Sequence, residues 1–202
     1  MRVSTVAVLI ALVASASAPA RAQDDGDRWG FAGSLGVGYT SVGASCIPEC
    51  AVDRQQGLSF FLHVAGHVSP QFTLGVETSL FQDAAVQYLT PGKGTWTSAF
   101  LLLSAQWYPS VDSDFFIKLG GGIATSKLDL PFSGTGIQTL TMSDFGGSVG
   151  IGRDWLVGER VGLTTFADAL FTPRSRALIN NADSGARVTV DQLRAGIAIS
   201  IP

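Results

Sequence analysis

From about residue 29 onward, apolar and polar residues alternate one for one through most of the chain. Trp29, Phe31, Leu35, Val37 and Tyr39 share one parity against Gly30, Ala32, Ser34, Gly36, Gly38 and Thr40. The same holds for Leu58, Phe60, Leu62, Val64 and Val68 against Ser59, His63, Ala65, His67 and Ser69. Near the end, Leu193, Ala195, Ile197, Ile199 and Ile201 stand against Arg194, Gly196, Ala198 and Ser200. A period of two puts one set on each face of a strand. It predicts eight strands, at about 29–40, 57–69, 72–82, 95–108, 115–126, 144–155, 161–172 and 187–201. Their glycine, β-branched and aromatic content argues against helix. The fourth departs from the pattern, because Phe100 and Leu102 fall on the polar parity, which implies a partly apolar interior.

The connections alternate in length. Residues 69–71, 110–114 and 157–160 are tight, whereas 41–56, 83–94, 127–143 and 173–186 are long and polar. That rhythm fits an antiparallel up-and-down barrel with turns at one end and loops at the other, as in outer-membrane barrels. A soluble barrel would turn the bulky apolar face inward and a membrane barrel turns it out. The small face is rich in glycine (Gly36, Gly38, Gly75, Gly120, Gly122, Gly150, Gly152, Gly196), which suits a narrow interior. Trp29 and Trp96 open strands, Trp107 and Trp155 close them, and Tyr39 and Tyr108 also sit at strand ends. These six are expected to form the aromatic girdle of a lipid-facing wall. The expectation is an all-β, eight-stranded antiparallel up-and-down transmembrane β-barrel.

The run FFIKLGGGI, residues 115–123, then poses a question of charge. Facing lipid at mid-depth, Lys118 would cost roughly 2–4 kcal/mol. Facing inward with Gly120, Gly122 and Ala124, it can pair. Lys118 is expected to pair with Asp154, Asp168 with Arg194, and His63 to stand opposite Glu77 across the turn at Pro70. The lumen is thus expected to hold a mixed-sign structural network of His63, Glu77, Lys118, Asp154, Asp168 and Arg194. It would plug the barrel, with a small net stabilisation.

The first residues add a destination. Arg2, an apolar run over 6–13 and Ala20-Arg21-Ala22 read as a secretory signal peptide over 1–22, cleaved after Ala22, ahead of a barrel domain over 23–202. The apolar run is too short to span a bilayer. Cleavage removes Arg2 and Arg21 and no acid, moving the formal charge from −3 to −5. That balance offers nothing to nucleic acid. In an exported chain, Cys46 and Cys50 are expected to form a disulfide closing a small loop. A metal site there, with Glu49 and Asp53 near, lacks the usual ligand set.

The segments GFAGSLGVGYTS, SAQWYP, FFIKLGGGIA, SVGIGRDW, VGLTTFADALF and QLRAGIAISI together resemble the small eight-stranded outer-membrane β-barrel family, typified by the OmpA transmembrane domain. The resemblance covers residues 29–201. It implies a cell outer membrane of Gram-negative type and a non-catalytic monomer without cofactor or metal. Such a protein would sit among outer-membrane lipids and lipopolysaccharide, acting in envelope structure or in surface interaction and adhesion through its loops. One departure stands: the family usually ends on an aromatic residue, and here the last residues are Ser200-Ile201-Pro202.

Two rival classes remain. His67-Val68-Ser69 resembles the His-x-Ser of lipid A deacylase barrels, with Glu77 as orienting acid. Residues i and i+2 of a strand, however, stand about 7 Å apart, and these two lie at a turn rather than at the outer leaflet. A small channel or ligand-binding barrel is the other. The loop around Cys46 and Cys50 and the loop 173–186, with Arg174, Arg176 and the adjoining Arg187, are candidates for contact with partners or lipopolysaccharide phosphates; the bland alternative is that the arginines are solvated or snorkelling. His63 and His67 would suit a metal on a helix but stand about 13 Å apart on a strand.

Overall fold

A computed structural model describes residues 31–47, 54–87, 93–132, 136–157 and 161–201. The signal segment 1–22, Trp29 and Cys50 lie outside the described residues. The strands are β1 (Phe31–Ile47), β2 (Gln55–Ser69), β3 (Phe72–Gln87), β4 (Lys93–Trp107), β5 (Phe115–Phe132), β6 (Gly136–Leu156), β7 (Gly162–Phe171), β8 (Ser175–Ile179) and β9 (Ala182–Ile201). β1 to β7 pair antiparallel in sequence order, β7 pairs with β9, and β9 returns to β1, which closes the sheet. β8 continues the stave begun by β7. On β6 the rungs run from Gly147↔Phe171 to Met142↔Ala177, and on β9 from Phe171↔Asp191 to Ser175↔Val188. The wall therefore has eight staves, and the chain is an antiparallel up-and-down barrel of the outer-membrane type.

The bulky apolar face is outside. Leu35, Val37, Leu62, Leu103, Leu119, Ile123, Ile197 and Ile199 are all exposed, whereas Glu77, Lys118, Asp168 and Arg194 are buried. So continuous an apolar exterior is a liability in water and the natural solvent contact in lipid. The interior is narrow enough to need glycine. A Cβ on Gly152 would run into the Phe116 ring, and one on Gly122 into the Leu101 carbonyl.

Several stretches expected as loops are strand. Residues 41–47 and 83–87 continue β1 and β3, and most of 127–143 is the far half of the β5–β6 hairpin. Residues 173–186 hold β8, the start of β9 and a tight turn at Asn180-Asn181. Both asparagines have positive φ, 48° and 69°, the geometry of a two-residue type I′ hairpin turn. The reason these strands were hidden is a change of polarity along each stave. On β9, Leu193 is outward and Arg194 inward, but two residues further up Asp191 is outward and Val190 buried. On β5, Ile123 gives way outward to Thr125 and Lys127, while Leu128 is buried. β6 switches at Phe145 and Ser143, β3 at Leu80 and Gln82, and β2 at Leu58 and Gln56. These switches fall on or next to the same rungs, including Ile123↔Phe145 and Thr125↔Ser143. We take that line as the upper edge of the hydrocarbon. Below it β9 runs from Leu193 to Ile201, close to the 9–11 residues that a tilted strand needs to cross. Above it the wall continues as an ordinary water-soluble sheet with a dry interior. β6 has 21 residues, so it rises roughly 25 Å beyond what crossing requires.

Candidate functional site

Within the membrane, four staves supply one ionised side chain each to a single layer: Glu77 from β3, Lys118 from β5, Asp168 from β7 and Arg194 from β9, the strand next to β7. Lys118 Nζ donates to Glu77 Oε2 at 2.7 Å and to Asp168 Oδ2 at 2.6 Å. Arg194 Nη2 donates to Glu77 Oε1 at 2.7 Å and Asp168 Oδ2 at 2.6 Å. Its Nε donates to Asp168 Oδ1 and its Nη1 to Ser79 Oγ, both at 2.9 Å. The guanidinium lies beside an edge-to-face pair of rings, Phe61 and Phe166, whose centroids are 4.5 Å apart and 5.0 and 5.1 Å from it. Two acids and two bases cancel, and each is hydrogen-bonded to both opposite charges. That is the condition under which buried ions are tolerated.

The register explains part of this arrangement. Asp168 stands directly opposite Arg194, and His63 opposite Glu77. His63 Nε2 nevertheless bonds Ser104 Oγ, at 2.9 Å, so it flanks the quartet without closing it. Asp154 does not pair with Lys118. The rung of Lys118 is Gly150, which leaves Asp154 four residues nearer the short turns. There it accepts from Tyr108 Oη at 2.9 Å and from Thr164 Oγ1. Ser79, Ser104, Phe61 and Phe166 complete the layer, and inward parity is the only signal that the sequence carries for them.

Above the quartet the lumen turns apolar. Phe100, Leu102, Ala124 and Leu170 form one buried cluster. Over it, Gln192 Nε2 donates to Ser98 Oγ at 2.7 Å, and Ser98 shares a hydrogen bond with Ser126 at 2.8 Å. Higher still, inside the wall that has left the lipid, Val42, Phe81, Trp96, Leu128, Met142, Ala177, Val188 and Val190 pack together.

Trp96 therefore does not belong to a girdle. It has the inward parity of Phe100 and Leu102, and at its height the inside is the dry side. Tyr108 also turns inward, because its hydroxyl finds Asp154 there. Tyr39, at the upper edge of the lipid, is outward and donates to Gln56 Oε1 at 2.9 Å. Trp107 is exposed near the short turns, and the Arg153 guanidinium lies 5.4 Å from the Trp155 ring centroid. Cys46 is on β1, packed against the upper cluster and opposite Val188, while its expected partner Cys50 is outside the described residues. His67 Nδ1 is 3.2 Å from Thr73 Oγ1, its partner across the hairpin, and Ser69 pairs with Phe72, so the His-x-Ser pair forms no relay between its own members.

The wall above the lipid edge is tied together by its own contacts. Arg54 bridges staves by donating to Ser41 Oγ at 3.1 Å, the Ser41 carbonyl at 3.0 Å and Asp191. Asn180 N–H donates to the Thr139 carbonyl at 3.0 Å, and Thr139 N–H donates to Asn180 Oδ1 at 3.1 Å. Asp129 accepts from Thr139 Oγ1 at 2.7 Å and Lys127 Nζ at 2.9 Å, and the Thr139 hydrogen bond, then the lysine, holds its carboxyl below the ordinary aspartate value.

No protein-family model matches the chain, and no curated protein matches it. Solved structures share its fold. The attachment invasion locus protein Ail of Yersinia pestis, in complex with the heparin analogue sucrose octasulfate, superposes with a TM-score of 0.58 at 11% identity, covering 85% of this chain and 99% of that one. OprG from Pseudomonas aeruginosa gives 0.56 at 15% identity, covering 88% and 98%. Neisserial surface protein A gives 0.51 at 14%, covering 84% and 96%. At these identities the likeness is one of fold.

Proposed function

We propose that the protein is a non-catalytic outer-membrane barrel, released from a signal peptide after Ala22, whose lumen is sealed and whose extracellular wall is its working surface. The observation that carries this is the division of each stave at the lipid edge. Below it the interior is filled by a charge-neutral quartet with aromatic and aliphatic layers. Above it the chain builds a sheet with its own core and a polar exterior. A channel would need a continuous polar passage, and the apolar clusters interrupt one. An enzyme would need a nucleophile and base that substrate can reach; the buried His63–Ser104 pair lies inside the wall. A stiff, polar, laterally exposed surface suits attachment to the envelope or to other surfaces. The fold shared with Ail, an attachment protein by name, is in keeping with that.

The test joins three measurements on cells and purified protein. The protein should fractionate with the outer membrane and change mobility on heating in gels. In planar bilayers it should give no steady conductance. Lipid A from expressing cells should keep its mass. Steady conductance would sink the sealed lumen, and a lost acyl chain would sink the non-catalytic reading.

A further inference from the structure

On the extracellular hairpin, Arg176 and Arg187 are direct cross-strand partners. Side chains on opposite rungs of an antiparallel pair share a face with Cβ atoms about 5 Å apart, and like charges so placed are destabilising. Arg174, also exposed, lies two residues before. Among the described residues none of the three makes an ion pair with a carboxylate. Two nearby acids are engaged elsewhere: Asp191 holds Arg54, and Asp183 accepts from the Gly185 N–H at 2.8 Å. The arrangement is also held in place. The hairpin tip is pinned through Asn180 to Thr139, and the rung above the arginines is a bulge with Gly185 at φ 74°. In that bulge Ser184 Oγ donates to the Ala177 carbonyl at 2.6 Å. Two positive charges are thus fixed side by side on an ordered wall with no protein counter-ion among the described residues.

Height and direction select the counter-ion. Arg187 has the outward parity of Asp191 and Leu193, so it faces sideways over the bilayer and not up from the barrel mouth. It lies four residues beyond Asp191, where the outer face turns polar. At the usual rise and tilt its backbone is roughly 10 Å above the hydrocarbon edge. An arginine side chain reaches down over much of that distance into the headgroup layer, which adds about 5–7 Å to each side of the bilayer. Guanidinium groups in parallel match phosphate oxygens in geometry and charge.

We infer that Arg176 and Arg187, assisted by Arg174, form a binding site for the phosphate of an outer-leaflet lipid headgroup, fastening the extracellular wall to the membrane surface. This rests on the outer-membrane reading above and specifies its partner.

The experiment uses the full mature chain in phosphatidylcholine vesicles with and without diphosphoryl lipid A. The variant is Arg176→Gln with Arg187→Gln, and the control Arg54→Gln with Asp191→Asn removes a neighbouring neutral pair. In phosphatidylcholine alone the arginine variant should melt at a higher temperature than the parent, because the repulsion is gone. With lipid A the order should reverse, because only the parent has the bridging phosphate. Native mass spectrometry should show lipid A retention falling about tenfold or more in the variant and unchanged in the control. Equal retention by parent and variant would overturn the site. So would equal retention of lipid A stripped of its phosphates, or protection by a sulfated polysaccharide with none by lipid A. Failure here, with outer-membrane fractionation intact, removes the site and leaves the functional reading in place.

Discussion

Lys118 is the residue on which the orientation turns, and its cost was legible before its partners were. One parity rule placed it inside, but depth counted from strand ends paired it with Asp154, whereas the hairpin register sets it level with Gly150 and its partners come from β3 and β7. Contacts across a lumen depend on how all eight staves are staggered, and that is not written in any one segment. The quartet behaves as a unit. Lys118→Met should leave Glu77 and Asp168 sharing one cation and cost about 3–5 kcal/mol. Adding Glu77→Gln removes the excess acid and should restore a good part of that loss. Urea unfolding in vesicles, followed by tryptophan fluorescence, measures both; a single substitution that costs under about 1 kcal/mol would deny the coupling. A milder dependence belongs to Asp129, outside the membrane. Its folded pKa is held below the ordinary value near 3.9. Its contribution is therefore present above that value and is lost as pH falls through the folded pKa. Pepsin digestion of the β5–β6 hairpin should accelerate below about pH 3.9 in the parent, and Asp129→Asn should be equally sensitive on either side of it.

At the scale of elements, the reversal of polarity along each stave accounts for what the alternation revealed and what it concealed. Inside the lipid span the outward residues are consistently apolar and the inward ones mostly small or polar, with inward exceptions such as Phe61, Phe100, Leu102, Phe166 and Leu170, so all eight staves could be read. Above the lipid the period persists with its sense inverted, and segments such as 127–143 and 173–186, polar and interrupted by glycine and proline, read as loops. Phe100 and Leu102 on the polar parity are not part of that inversion, since Leu101 and Leu103 beside them are still apolar and outward; they belong to the apolar filling of the span beneath the upper core. The Asn180-Asn181 turn is the element most sensitive to a single change. Both residues sit at positive φ, where a β-branched side chain is strained by roughly 1–2 kcal/mol. Asn181→Val should loosen the hairpin that carries Arg176 and Arg187, while Asn181→Gly should leave it intact. Limited proteolysis of intact vesicles reads the difference: nicking within 173–186 should rise several-fold for valine and stay at the parental rate for glycine. Equal rates for both would mean that the turn does not hold the hairpin.

For the whole molecule, the proposed reading is a cylinder with two solvents outside and an interior that, among the described residues, holds the charged quartet and the apolar clusters. Its tryptophans report on which wall faces which medium. Trp107 is 47% exposed on the lipid-facing side, and Trp96 is 1% exposed within the core above the membrane, although both occupy strand ends in the sequence. Variants that keep one tryptophan and replace the other three with phenylalanine separate them. In vesicles whose acyl chains carry bromine, the Trp107 variant should be strongly quenched, because its ring meets lipid near the edge of the hydrocarbon. The Trp96 variant should be quenched neither by bromolipid nor by iodide added outside, because protein surrounds it on every side. Quenching of Trp96 by bromolipid to the extent seen for Trp107 would raise the lipid edge above the line drawn at Ile123 and Phe145, and would place the arginine rung inside hydrocarbon. Quenching by iodide alone would open the extracellular core to water. Either result removes the separation of a sealed membrane span from a folded extracellular wall, on which the functional proposal and the phosphate site both depend.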